Sequence, residues 1–78
     1  MARNPSRVEI KGKWFDVKEG WAGTLELSEY MKSPEYTAKE AFAHVDNLFH
    51  VFDTNGNKVG EFHTDNNTYS GIVTGIQM

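Results

Sequence analysis

The stretch TAKEAFAHVDNL, residues 37–48, decides how this chain reads as a fold, because it is the one segment with a clear helical period. Ala38, Ala41, Phe42, Val45, Leu48 and Phe49 recur at the three-and-four spacing that gathers apolar side chains on one stripe of a helix. Thr37 followed three residues later by Glu40 is a capping-box start, in which each side chain satisfies an orphan backbone N–H at the helix terminus. Ser33-Pro34 offers a second start just upstream, since proline is tolerated where its missing N–H would go unpaired. The segment therefore predicts one amphipathic helix.

Downstream, LFHVFDTNGNKVGEFHT (residues 48–64) reads as a hairpin. Asn55-Gly56 suits the two positive-φ positions of a two-residue type I′ turn, and apolar runs flank it. Counting outward pairs Thr54 with Asn57, Asp53 with Lys58, Phe52 with Val59, His50 with Glu61 and Phe49 with Phe62. Opposite charges and apolar groups then meet across the strands, each such pair contributing about 0.2–1 kcal/mol. A three-residue loop with a bulge is the alternative. Beyond the turn at Asp65-Asn66-Asn67, Thr68 to Ile76 alternates as a closing strand whose glycines permit close approach of another backbone.

Upstream, Arg7 to Val17 reads as extended structure with a bend or bulge at Lys11-Gly12-Lys13. Trp21 to Leu27 reads as a strand paired back on it, with Trp21, Gly23, Leu25 and Leu27 on one face. Ser28 to Met31 allows a helical turn. Residues 1–6 lack an apolar pattern and read as a flexible N-terminal arm. The expectation is a single α+β domain over residues 7–78, in the order β-β-α-β-β-β, one helix packed on a mostly antiparallel sheet.

Seventy-eight residues make one domain with little room for a deep catalytic cleft. The absence of cysteine excludes a disulfide framework, thiol catalysis and thiolate metal sites, and fits a reducing compartment. No stretch has the length and apolarity of a membrane span, and MARNPSRVEI lacks the hydrophobic segment of a signal peptide, so cytoplasmic residence is expected. The net charge of −3 is unevenly spread: residues 1–18 hold five cations against two acids, and residues 19–78 hold three against nine. A basic beginning precedes an acidic body, which is either ordinary surface charge or an edge that touches phosphates or an acidic partner.

Three constellations stand out. Lys11, Lys13, Trp14, Phe15, Lys18 and Trp21 form an aromatic and basic ribbon, in which rings stack bases while lysines follow a phosphate backbone, or else the rings fill the core. Trp14 and Phe15 are adjacent on one strand and so point to opposite faces. The segment KWFDVKEGWAG, residues 13–23, resembles the nucleic-acid-binding stretch of cold-shock domains: Lys13, Trp14, Phe15 and Gly20 match its pattern by identity and spacing, Asp16, Trp21 and Ala22 by type. That resemblance implies a small β-barrel stacking single-stranded bases on Trp14, Phe15, Trp21 and Phe49. It departs from the pattern where Gly23 and Glu19 stand for a second stacking Phe and a Lys.

The second constellation, His50, Glu61 and His63, shares one sheet face in the hairpin register and reads either as a solvated polar face or as a zinc site with an open position. Asp53 to Asn57 begins like a calcium loop, but Lys58 and Thr64 stand where that loop needs Gly and Glu. No phosphate-cradling loop, nucleophile elbow or His–acid–Ser signature is present, so no cofactor, metal or catalytic set is expected. The third is a set of interface anchors, Tyr30, Met31, Tyr36 and the exposed member of the Trp14/Phe15 pair. Lys11, Lys13, Trp14, Phe15, Trp21, Tyr30 and Tyr36 are accordingly the candidate partner-binding residues. The expected role is a non-enzymatic module of adaptor or inhibitor type that contacts another protein, in the format of small accessory proteins of phages and mobile elements. Single-stranded nucleic-acid binding by the ribbon is the alternative.

Overall fold

The computed structural model describes residues 4–31, 33–41 and 47–78, and these hold eight strands and no α-helix. In chain order they are β1 (Arg7–Ile10), β2 (Lys13–Glu19), β3 (Thr24–Ser28), β4 (Tyr36–Glu40), β5 (Leu48–Phe52), β6 (Lys58–His63), β7 (Thr68–Gly71) and β8 (Val73–Gln77). Single 3₁₀ turns follow β2 and β3, over Trp21–Gly23 and Glu29–Met31. Every pairing is antiparallel, and the sheet order β7-β6-β5-β4-β3-β2-β1-β8 is an up-and-down meander that curls until its ends nearly meet. The fold is a nearly closed β-barrel, not α+β. None of the described helical segments is long and apolar enough to cross a membrane.

The predicted amphipathic helix is the element that fails. Tyr36–Glu40 is a strand, Leu48–Phe52 is the next one, and the Ala41 N–H donates to the Leu48 carbonyl between them. Phe42 and Val45 of the predicted stripe lie outside the described residues. The physical reason is a competition between local and non-local backbone pairing. A helix of about a dozen residues is marginal without tertiary packing. The same Ala38 placed in β4 lies between Leu25 and Val51 and is fully buried. Thr37, the supposed cap, is instead paired between Glu26 and Phe52.

The expected closing strand is two strands joined by a corner. β7 pairs with β6, β8 pairs with β1, and Ile72 between them serves both sides: its N–H donates to the Val59 carbonyl at 3.1 Å and its carbonyl accepts from the Lys11 N–H at 3.1 Å. Gly71 makes the corner possible. It sits at φ +70, and a Cβ there would lie 2.5 Å from the Val59 oxygen and 2.6 Å from the Gly60 Cα. Only a residue without a side chain fits both the conformation and the space.

The two hairpin turns carrying X-Gly differ from expectation in opposite ways. Lys11 (φ 52) and Gly12 (φ 84) are both left-handed, so the two-residue type I′ turn lies between β1 and β2, where a bend or bulge was expected. At Asn55-Gly56 only Gly56 is left-handed. The Asp53 carboxylate accepts from the N–H groups of Asn55 (2.9 Å) and Asn57 (3.0 Å), and the Gly56 N–H donates to the Asp53 carbonyl, which fixes a three-residue loop. The loop shifts the register by one, Phe52 meets Lys58 rather than Val59, and a bulge at Val59 shifts it back. The distal pairs His50–Glu61 and Phe49–Phe62 therefore stand as the two-residue count placed them.

Strand alternation fills the interior with Val8, Ile10, Phe15, Leu25, Leu27, Ala38, Phe49, Val51, Phe62 and Val73. Phe49 and Phe62 stack with centroids 5.1 Å apart, and Phe15 meets Tyr36 edge-on at 5.6 Å. Ahead of β1, the Ser6 N–H donates to the Gln77 carbonyl, and the Ser6 carbonyl accepts from the Val17 N–H. Asn4 donates to Glu19, so residues 4–6 run along the barrel wall.

Candidate functional site

With Phe15 directed inward, the pleat turns Trp14 outward. Phe15 is 4% exposed and Trp14 39%. The Trp14 ring crosses β1 to lie near Gly75 on β8, where a Cβ would stand 3.5 Å from it. Arg7, on the same outer face, holds its guanidinium 5.8 Å from the Trp14 ring centroid, a cation–π contact. The 3₁₀ turn after β3 brings up Glu29, whose carboxylate lies 3.4 Å from the Lys13 ammonium. It also brings up Tyr30, left-handed at φ 56 and 78% exposed. Arg7, Lys13, Trp14, Asp16, Glu29 and Tyr30 line one open groove of about 370 Å³.

A second groove, of about 460 Å³, lies at the other end of β2 and β3. Trp21 stands over it, 87% exposed, on a turn whose carbonyl accepts from both the Thr24 hydroxyl (2.6 Å) and the Thr24 N–H. Across the sheet, Thr24, Lys39 and His50 are successive register partners on β3, β4 and β5. The Lys39 ammonium sits 5.5 Å from the Phe52 ring centroid.

The histidine constellation has the expected register but not the chemistry of a metal centre. His50 faces Glu61, and His63 lies two residues further along β6. The Glu61 carboxylate is engaged by the Lys58 ammonium at 2.9 Å. That hydrogen bond, together with the charges of Lys58 and His50, holds the Glu61 carboxyl below its ordinary value against an opposing desolvation effect. The Nδ1 atom of His63 is buried without a hydrogen-bond partner. Among the described residues, no three acid or imidazole groups gather as metal ligands do.

Of the seven residues chosen from sequence, Lys13, Trp14 and Tyr30 come together in the first groove. Trp21 belongs to the second. Lys11 occupies the exposed β1–β2 turn, Phe15 lies in the core, and Tyr36 packs half-buried against it. The stacking platform implied by the cold-shock resemblance is not assembled, because Phe15 and Phe49 are inside the barrel at 4% and 2% exposure. Arg7, Asp16, Lys39 and Phe52 were missed as site residues. Their signal is parity: Arg7 shares the outer face with Glu9 and so with its partner Trp14, a relation visible once the β1–β2 turn is placed at Lys11-Gly12. The chain matches no family model, no curated protein and no solved structure.

Proposed function

We propose that this barrel is a non-enzymatic binding module, of adaptor or inhibitor type, that works by contact with another protein through the groove holding Trp14 and Tyr30. The observation that carries the reading is the pairing of two exposed rings with Arg7 and Lys13 on one outer face. Trp, Tyr and Arg are the side chains that dominate protein interfaces, because they bury large areas at small entropic loss. Arg7 is already seated on Trp14, so part of the ordering needed for contact is complete before the partner arrives. The groove carries Asp16 and Glu29 beside Arg7 and Lys13, a balance that suits the mixed charges of a protein surface better than a polyanion.

The test is capture from nuclease-treated lysate by the intact chain, in parallel with Trp14→Ala/Tyr30→Ala. A protein retained by the parent and lost from the double variant supports the reading. The second reading, single-stranded nucleic-acid binding, draws on Arg7, Lys13 and Lys11 clustering near Trp14. It predicts salt-sensitive quenching of tryptophan fluorescence by oligo-dT or oligo-U, weakened in Lys13→Ala. That quenching, with no protein retained, would replace the first reading by the second.

A further inference from the structure

The groove beneath Trp21 is a separate site, and its construction points to a different kind of contact. A ring that is 87% exposed is expensive to display in water, yet the turn that displays it is tightly fixed. The Gly20 N–H donates to the Thr24 carbonyl at 2.8 Å, and Thr24 returns two hydrogen bonds to the Trp21 carbonyl. Gly23 takes φ +79, which lets the chain leave the 3₁₀ turn directly into β3. The backbone under the indole is thus preorganised, the condition under which an exposed aromatic becomes an anchor rather than a loose side chain.

The charges that share the groove's outer face are cationic. Lys39 and His50 are register partners on that face, and among the described residues Lys39 has no ion pair; its ammonium rests on Phe52 instead. Glu40, the remaining ionisable group of the lining, is one residue beyond Lys39 in β4 and pairs with buried Phe49, so strand parity sends it toward the other face. Glu61, opposite His50 on β6, is held by Lys58. The result is a cationic spot between two rings, on the part of the chain whose overall charge is acidic.

We infer that this groove docks an acidic segment of a partner protein, an apolar or aromatic side chain entering between Trp21 and Phe52 and a neighbouring carboxylate meeting Lys39 and His50. A nucleic-acid strand is the poorer fit. It presents a phosphate at every nucleotide and needs a tract of cations, whereas this groove offers two groups on a chain of net charge −3. The inference goes beyond the proposed function, since it concerns another groove, with its own residues and its own ligand chemistry.

The experiment is panning of a displayed random heptapeptide library against the intact chain. The selected peptides are then synthesised and titrated against the parent, Trp21→Ala, Lys39→Glu and Trp14→Ala, with folding of each checked by circular dichroism. The expected result is enrichment of Asp or Glu beside Phe, Leu or Trp, with binding weakened at least about tenfold by Trp21→Ala and by Lys39→Glu and unchanged by Trp14→Ala. In Trp14→Phe, where Trp21 is the sole indole, the same peptides shift its fluorescence. No enrichment, enrichment of basic peptides, or peptides insensitive to Trp21→Ala overturns the inference. If the selected peptides respond to Trp14→Ala alone, the inference fails while the proposed function stands. Quenching of Trp21 by oligo-dT in Trp14→Phe, without acidic peptides, replaces the partner by a nucleic acid and also overturns it.

Discussion

Two pairs of rings divide this molecule. Phe49 and Phe62 stack inside the barrel, 2% and 0% exposed, whereas the larger Trp14 and Trp21 stand outside at 39% and 87%. Apolar size alone would bury the tryptophans first. Strand parity and the narrowness of the interior decide otherwise. The inner row Leu25–Ala38–Val51–Gly60 runs across four strands with alternately large and small members, and a Cβ on Gly60 would stand 2.9 Å from the Ser70 carbonyl oxygen. A closed interior of this bore is filled by phenylalanine-sized groups, so rings placed on the outer parity remain available for contact.

The sharpest way to break that division is Phe62→Ala. Truncating a fully buried phenylalanine removes about 3–5 kcal/mol through lost transfer free energy and the cavity left behind. Against the few kcal/mol available to a domain of this size, that is most of the total. Urea denaturation followed by circular dichroism is expected to show little or no cooperative transition in the variant. A small effect at Phe62 would mean that the stacked pair is not the structural centre.

The outer pair yields a smaller and more discriminating comparison. Trp14 shields Gly75 and carries Arg7, so Trp14→Ala is expected to lower stability by about 1 kcal/mol, the range of an exposed cation–π contact with some packing. Trp21 stands clear of the barrel wall, and Trp21→Ala is expected to stay within about 0.5 kcal/mol of the parent. Denaturation midpoints at constant slope measure both. Unfolding by Trp21→Ala would assign that ring a structural role and remove its standing as an anchor.

How far this arrangement was legible follows from the same distinction between local and non-local forces. The opposite facing of Trp14 and Phe15 was legible, because pleat parity needs only sequence order. Which of the two faced inward was not, since that depends on where β3 and β8 lie. The His50–Glu61 and Phe49–Phe62 pairs were legible, although the turn that sets them was misread: the Asp53 carboxylate drew a three-residue loop and the Val59 bulge restored the register. The helix was misread because Ala38, Leu48 and Phe49 satisfy a helical period while belonging to two strands, and nothing local reveals the free edge of β3 that Tyr36–Glu40 pairs with. The bend at Ile72 was equally hidden; Gly71 marked a close approach without saying to what.

Polar contacts on the outside are the weakest side of the comparison, and Glu61 sharpens it. Its carboxyl is held below the ordinary value of 4.5, chiefly by the Lys58 hydrogen bond, so the unfolded chain binds this proton more readily than the folded one. The sign follows: the stabilisation is present above 4.5 and is lost as pH falls through the lower folded value. Both side chains are well exposed, at 45% for Lys58 and 37% for Glu61, so solvent screening limits the contribution to a few tenths of a kcal/mol. Glu61→Gln keeps the shape and an acceptor oxygen but removes the charge. Its denaturation midpoint is expected to fall slightly below the parent's at neutral pH and to converge with it in acid. A gap that persists well below the carboxylate range would trace the loss to packing rather than charge, and would place Glu61 with the structural groups of the barrel wall.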